Sequence, residues 1–166
     1  MRRIGITGGI GSGKSVVSRL LRIMGYSVYD TDSEAKRLME SSLEVVQKLS
    51  ECFGRDIYHN GRLNRGLLSS RVFGESDKIV LLNSIVHPVV RFDFYRWSES
   101  LNEEICFVES AILYESRFDE LVDEVWTVTA PEELRIGRVR QRSGLTEEEI
   151  KKRMAAQLSE EEKQRR

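Results

Sequence analysis

The stretch Thr7-Gly8-Gly9-Ile10-Gly11-Ser12-Gly13-Lys14-Ser15 stands near the start of the 166-residue chain. It contains the spacing G-x-x-x-x-G-K-S, in which a glycine-rich loop binds phosphate through backbone N–H groups and a lysine. A β-type run from Arg2 to Thr7 precedes it, and apolar residues at helical spacing follow from Lys14 to Met24. This motif requires that strand, loop and helix. The sequence therefore predicts a phosphate site; the alternative is a glycine-rich turn with an exposed lysine.

The rest of the chain alternates between strand and helix patterns. Strands are predicted at 26–29, 105–108 and 124–128, and helices at 33–40, 43–53, 131–142 and from Glu147 onward. Residues 54–104 are mostly helical in pattern, with a turn at Asn60-Gly61 and interruptions at Gly74 and His87-Pro88. Strands that alternate with helices predict an α/β fold with a parallel sheet.

Composition and charge exclude several classes of protein. The chain is 40% hydrophobic and 32% charged with a net charge of −1, which fits one soluble domain and predicts no nucleic-acid or membrane partner. The uncharged apolar stretch from Ile79 to Val90 is too short to span a bilayer, and the N-terminus has no apolar signal segment. We therefore expect a cytoplasmic protein. Cys52 and Cys106 form no C-x-x-C, so neither a disulfide nor a zinc site is expected.

The phosphate loop alone leaves the reaction open. No D-x-x-G and no N-K-x-D occurs in the chain, which disfavours a GTPase. Small-molecule kinases, nucleotide kinases and non-catalytic ATP-binding modules remain, because all of them use this loop.

Segments downstream of the loop narrow that choice. Asp30-Thr31-Asp32-Ser33-Glu34-Ala35-Lys36 follows the second predicted strand, and Glu109-Ser110-Ala111-Ile112-Leu113-Tyr114-Glu115 follows the third. Further pieces are Leu63-Asn64-Arg65, Arg71-Val72-Phe73, His87-Pro88, Arg138-x-x-x-Arg142-x-Gly144 and Arg153-x-x-x-Gln157. With the glycine loop, these segments resemble the dephospho-coenzyme A kinase family over nearly the whole chain.

The resemblance implies a fold and a reaction. The fold is a P-loop parallel sheet flanked by helices, like that of nucleoside-monophosphate kinases, in one domain over 1–166. Its parts would be a core at 1–53 and 105–137, a helical acceptor-binding insert at 54–104 and a lid at 138–158. The reaction transfers the γ-phosphoryl group of ATP to the 3′-hydroxyl of dephospho-coenzyme A with Mg²⁺, the last step of coenzyme A synthesis. The sequence does not indicate an oligomeric state.

The motif and the resemblance together imply a set of site residues. ATP would be bound by Gly9, Gly11, Ser12, Gly13, Lys14, Ser15, Val16, Arg138 and Arg142. The acceptor would be bound by Asp32, Arg65, Arg71, His87 and Glu115, and Mg²⁺ by Ser15 and Glu109. Catalysis would depend on Lys14, on Arg142, and on Asp32 as the group that activates the acceptor hydroxyl.

Each role has a structural alternative. Asp32 is also suited to cap a helix that begins at Ser33, and Glu109 to end a strand in solvent. Arg135, Arg138 and Arg142 share one helix face, which predicts a lid over phosphates or else a solvated surface. A lone histidine before proline, such as His87, is more often a structural hydrogen-bonding residue than a base.

The chain departs from the family pattern in three places, and at one of them the pattern implies one inserted residue between Pro131 and Arg138. Ala111 stands where the family usually has proline and Glu109 where it has aspartate, so we expect a looser loop and a longer or water-mediated metal contact. Family members continue past Gln157 into a last strand and helix, whereas this sequence stops at Arg166. We therefore expect that final strand to be missing and the strand at 124–128 to lie at a sheet edge.

Overall fold

Six strands and eight helices follow one another in the computed structural model, which describes residues 1–166. The strands are β1 (Arg2–Thr7), β2 (Ser27–Asp30), β3 (Tyr58–His59), β4 (Arg62–Leu63), β5 (Ile105–Glu109) and β6 (Glu124–Thr127). The helices are α1 (Lys14–Ile23), α2 (Thr31–Ser41), α3 (Leu43–Phe53), α4 (Arg65–Val72), α5 (Ser76–Ser100), α6 (Glu132–Ser143), α7 (Glu147–Ala155) and α8 (Glu160–Arg165).

Four of the strands form one parallel sheet in the order β2-β5-β1-β6, which confirms the predicted fold class. β1 lies between β5 and β6, and β6 is an edge strand as expected. Ile6 of β1 and Asp30 of β2 both pair in register with Glu109 of β5. Because parallel strands end at one edge, the carboxyl ends of β1, β2 and β5 lie together at that edge.

The sheet packs on α1 through apolar side chains. Ile4 and Ile6 of β1, Phe107 of β5 and Leu21 of α1 form a buried cluster. The Trp126 ring on β6 lies 5.3 Å from the Phe107 ring, centroid to centroid. The cluster fixes β1 and α1 to each other, and so fixes the two ends of the glycine loop.

The chain divides into two compact units. The sheet unit comprises Met1–Asp30 and Ser98–Arg166, and the helical unit comprises Thr31–Trp97. The helical unit has its own buried residues, among them Leu49, Ile57 and Phe94, and the Trp97 ring lies 6.0 Å from the Phe94 ring. The limits of the insert and the lid stay predictions.

Several predicted boundaries are wrong, for local reasons. α2 begins at Thr31 directly after β2, two residues earlier than predicted. α5 runs unbroken through His87-Pro88, since proline removes only one backbone N–H and buried Ile85, Val86 and Val90 hold both sides of it. The charged C-terminal helix is interrupted, and Ser159 caps a separate α8.

The turn at Asn60-Gly61 is confirmed as the loop of the β3–β4 hairpin, with positive φ angles of 51° and 75° at its two residues.

α5, at 25 residues, is the longest helix. Neither it nor any other helix combines the length and the apolar character that a bilayer crossing needs.

Candidate functional site

The glycine loop connects the buried end of β1 to the first turn of α1. Gly8, Gly11 and Gly13 have φ angles of 144°, 80° and 112°, a region that side chains rarely tolerate. A Cβ at Gly8 would collide with the Val128 carbonyl oxygen, and one at Gly11 would lie 2.6 Å from the Arg135 carbonyl oxygen. The loop backbone is therefore pressed against its neighbours in a shape that only glycine allows.

Lys14 is the first residue of α1 and is only 8% exposed. Its Nζ donates to the carbonyl oxygens of Gly8 at 2.7 Å and Gly9 at 3.1 Å. The ammonium group thus lies across the loop, within the turn formed by the glycines. This is where the motif requires a cation that binds phosphate oxygens.

The start of α1 is suited to an anion. The first turn contains no acidic residue to neutralise the positive end of the helix dipole. The Ser12 hydroxyl is buried with no protein partner, so the loop holds a side-chain donor besides its amides. Ser15 and Val16 are exposed at the same helix end. These features suit the loop to the phosphate binding that its motif predicts.

Glu109 ends β5 at the carboxyl edge of the sheet and is partly buried. Ser110, the next residue, donates its backbone N–H to the Ile6 carbonyl oxygen at 3.0 Å and so ties this strand end to β1. No three or more His, Cys, Asp or Glu side chains cluster in the chain as a metal-binding group. A cation at this edge would need further oxygen ligands from a bound substrate or water.

Asp32 lies in the first turn of α2, two residues after β2 ends, and is exposed. Its alternative interpretation as the cap of a helix starting at Ser33 is wrong, because the helix has already begun at Thr31. An acidic residue in a first turn still favours the helix through the dipole. Any acidic residue in this turn would interact with the helix dipole in this way, so the dipole does not explain why the residue is an aspartate.

The three arginines predicted to share one face of α6 are placed differently from one another. Arg135 is 5% exposed, and its Nε donates to the Ile10 carbonyl oxygen at 3.1 Å. Nη1 of Arg138 lies 3.3 Å from the carbonyl oxygens of both Gly11 and Ser12. Arg142 is exposed in the last turn of the helix. The first two arginines thus bind the backbone of the phosphate loop, although Arg138, like Arg142, is exposed to solvent.

Two candidate acceptor residues of the helical unit, Arg65 and Arg71, have ion-pair partners. Arg65 pairs with Glu40 at 3.1 Å, and Arg71 makes a two-pronged contact with Asp56 that lowers the pKa of that carboxyl group. His87 is half-buried, and burial together with Arg91 lowers its pKa below the usual 6.5. These contacts leave their roles toward the acceptor as predictions.

Glu115, in the sheet unit, contacts the C-terminal segment. Its Oε1 accepts the backbone N–H of Leu158 at 2.8 Å and lies 4.0 Å from Nζ of Lys163. Lys163 is 1% exposed, and its Nζ donates to the Ala111 carbonyl oxygen at 2.9 Å. Burial lowers the pKa of this lysine.

Sequence reasoning missed two residues beside the loop. Glu160 accepts the backbone N–H of Gly9 at 2.7 Å, and buried Lys163 anchors the same helix. Both belong to a run of charged residues that has the pattern of a solvated helix. Nothing in the spacing distinguishes Glu160 from its neighbours Glu161 and Glu162, so only the fold identifies it.

Comparison with known proteins places these features in a family. The sequence model for dephospho-CoA kinase matches residues 2–166. The dephospho-CoA kinase of Porphyromonas gingivalis is 46% identical over 157 residues, which cover 95% of this chain and 78% of that protein. The one from Corynebacterium diphtheriae is 40% identical over 170 residues, covering all of this chain and 85% of that protein.

Solved structures are similar over almost the full chain. A Thermus thermophilus protein is 39% identical with a TM-score of 0.85, covering 99% of this chain and 84% of that one. Dephospho-CoA kinase from Campylobacter jejuni is 25% identical with a TM-score of 0.70, covering 98% and 84%. Shikimate kinase from Acinetobacter baumannii, at 16% identity and a TM-score of 0.52, shares the fold alone and covers 94% and 73%.

Proposed function

Because the chain belongs to the dephospho-CoA kinase family, we propose that it transfers the γ-phosphoryl group of ATP to the 3′-hydroxyl of dephospho-coenzyme A, giving coenzyme A and ADP. The observation that carries this proposal is the glycine loop with Lys14 buried across it, in a chain that matches the family from residue 2 to residue 166. In this reaction the attacking 3′-oxygen forms a bond to the γ-phosphorus while the bond to the β–γ bridging oxygen breaks.

The donor half of the site is built on the loop. The amides of Gly11, Gly13, Lys14 and Ser15 and the hydroxyl of Ser12 surround the phosphates, and Val16 follows them in the first turn of α1. Lys14 moves its ammonium group from the Gly8 and Gly9 carbonyl oxygens to the β- and γ-phosphates, where negative charge increases during transfer. Arg138 supports the loop backbone from outside. Exposed Arg142 neutralises the transferred group when the lid, 138–158, closes.

The acceptor half depends on Asp32. Its carboxylate accepts the proton of the 3′-hydroxyl as the new bond forms, which is the ordinary task of a general base. Arg65, Arg71 and His87 of the predicted 54–104 insert, together with Glu115, bind the rest of the acceptor. For Arg71 this requires exchanging Asp56 for a phosphate group, to which guanidinium binds with the same two-pronged geometry.

Ser15 and Glu109 fit a magnesium ion. Both offer hard oxygen atoms, one exposed at the start of α1 and one at the carboxyl end of β5. Mg²⁺ usually takes only one or two protein ligands and fills its shell with phosphate oxygens and water, so no larger carboxylate cluster is needed. When bound with ATP, the ion supplies positive charge to the β- and γ-phosphate oxygens. Action in the cytoplasm without nucleic acid remains a prediction from composition.

A coupled assay of ADP release tests the proposal. Purified protein is supplied with ATP, Mg²⁺ and, in separate reactions, dephospho-coenzyme A, adenosine, AMP, shikimate or no acceptor. We expect rapid ADP formation only with dephospho-coenzyme A, and mass spectrometry should identify coenzyme A as the product. Faster turnover of another acceptor would assign a different kinase activity. Nucleotide binding without transfer to any acceptor would make the chain a non-catalytic binding module.

A further inference from the structure

The segment from Gln157 to Lys163 contacts the first half of the phosphate loop. The side-chain oxygen of Gln157 accepts the Ile10 N–H at 3.0 Å, and Oε1 of Glu160 accepts the Gly9 N–H at 2.7 Å. Two consecutive loop amides are therefore held by residues that follow them by about 150 positions in the chain. This contact pattern goes beyond the ligand set implied by the glycine motif.

Arg135 completes the contact. Its Nη1 lies 3.3 Å from Oε1 of Glu160, and its Nε donates to the Ile10 carbonyl oxygen at 3.1 Å. Only 6% of the Arg135 side chain and 17% of the Glu160 side chain are exposed. The Arg135 guanidinium thus contacts both the Glu160 carboxylate and the Ile10 carbonyl oxygen. The same carboxylate accepts the Gly9 N–H.

The pair packs directly on the loop. A Cβ at Gly9 would collide with both Nη2 of Arg135 and Oε1 of Glu160. The tips of both side chains therefore lie directly against the loop backbone at Gly9. Lys163 and Leu158 fix the segment on the other side, through the Ala111 carbonyl oxygen and the Glu115 carboxylate.

We propose that Glu160 is a positioning residue for phosphoryl transfer. With Arg135 it fixes the backbone of Gly9 and Ile10, and thereby the direction in which the rest of the loop presents its amides and Lys14 to the nucleotide. The inference rests on the proposed function for its effect on turnover. A buried carboxylate costs stability unless a cation and hydrogen bonds compensate, and the second oxygen of Glu160 is buried without a partner. A carboxylate retained here in spite of this loss of stability is consistent with a functional role at the loop.

Glu160 as a mimic of bound phosphate is the alternative role, and it predicts a different result. A carboxylate on loop amides is also a phosphate mimic, which nucleotide would have to displace. The contacts favour positioning, because the cation that pairs with Glu160 is Arg135 on α6 and not Lys14, the phosphate-binding cation of the motif. If Glu160 were a mimic, removing its charge would tighten nucleotide binding; if it positions the loop, removing it weakens binding and slows transfer.

The test compares Glu160→Gln, Glu160→Ala and Glu161→Gln with the unsubstituted chain. Glutamine keeps an acceptor for the Gly9 amide and loses the charge, alanine loses both, and exposed Glu161 is the matched control on the same helix. Calorimetry gives the Kd for ADP without any acceptor, and steady-state assays give kcat and both KM values. All are measured at a temperature where circular dichroism shows each variant folded.

We expect Glu160→Gln to raise the Kd for ADP and the KM for ATP by about tenfold and to lower kcat, with the acceptor KM unchanged. Glu160→Ala should lower kcat/KM for ATP by about 10²-fold, the size expected when a reacting group is misplaced. Glu161→Gln should stay within about twofold. A purely structural role would lower the melting temperature of the Glu160 variants and leave these constants unchanged.

The inference is overturned if Glu160→Gln leaves ADP affinity and kcat unchanged, or if it tightens ADP binding. Should Glu160→Ala fail to fold, the isosteric glutamine variant decides alone. Failure of the proposed function gives a separate result: the unsubstituted chain would be inactive with dephospho-coenzyme A, and the comparison of ADP affinities would still test Glu160.

Discussion

Lys14 tests the donor half of the proposed site. Lys14→Met keeps the apolar stem of this buried side chain but removes the ammonium group, so we expect kcat to fall by about 10³-fold with the fold intact. The coupled ADP assay measures the rate, and circular dichroism checks the fold. Lys48→Met, on the exposed surface of α3, is the control. Activity within tenfold of the unsubstituted protein would exclude the phosphate-loop mechanism.

Asp32 tests the acceptor half. Asp32→Asn preserves size and hydrogen bonding but cannot take up a proton, so kcat should fall by roughly 10²- to 10⁴-fold while ADP affinity stays nearly constant. Asp77→Asn changes another exposed aspartate in the first turn of a helix, α5, and should leave kcat unaffected. If both substitutions have equally small effects, Asp32 serves its helix and a different group takes the proton.

His87 makes stability depend on pH. Its pKa in the folded chain lies below 6.5 because the ring is half-buried and near Arg91, whereas in the unfolded chain it is near 6.5. Between those values the unfolded state binds more protons, so the free energy of unfolding falls as pH drops below about 6.5. Urea unfolding from about pH 7.5 to about pH 5.5 should show a smaller decline for His87→Gln. Parallel declines in both proteins would mean that His87 is protonated equally in the two states.

At the scale of elements, Thr146 and Glu149 stabilise the start of α7. The Thr146 hydroxyl accepts the Glu149 backbone N–H, and the Glu149 carboxylate accepts the Thr146 N–H, so the predicted capping box is confirmed. Thr146→Ala should lower the free energy of unfolding by about 1 kcal/mol in urea titrations. Thr146→Ser retains the hydroxyl and should recover most of that loss. Equal losses in the two variants would show that the methyl group, not the cap, is responsible.

Local sequence patterns predicted which helices and strands form better than they predicted where each one begins and ends. The strand, loop and helix around Lys14 follow from spacing and glycine chemistry, which act over a few residues. The start of α2 at Thr31 and the passage of α5 through Pro88 depend on packing against distant parts of the chain, which no local pattern contains. The same limit applies at the site: Arg135 has the pattern of a surface arginine, and only the fold places it behind the loop.

For the whole molecule, alternation of strands and helices predicted a parallel sheet but not its strand order. The order β2-β5-β1-β6 brings Asp30 beside Glu109, although 78 residues lie between them in the sequence. That neighbourhood depends on which strands pair, and strand pairing is decided by packing over the whole chain. The resemblance to a known family supplied the fold where the pattern alone could not.

The two tryptophans lie in different compact units, and each therefore serves as a fluorescent reporter of its own unit. Trp126→Phe leaves the emission of Trp97, and Trp97→Phe leaves that of Trp126. α5 contains residues of both units, and in its last turn the Ser98 hydroxyl accepts a hydrogen bond from Nε of Arg3 at 3.0 Å. Since a helix melts cooperatively, we expect both emission signals to change at the same urea concentration. Two separated midpoints would instead reveal a partly unfolded intermediate in which one reporter is already in water.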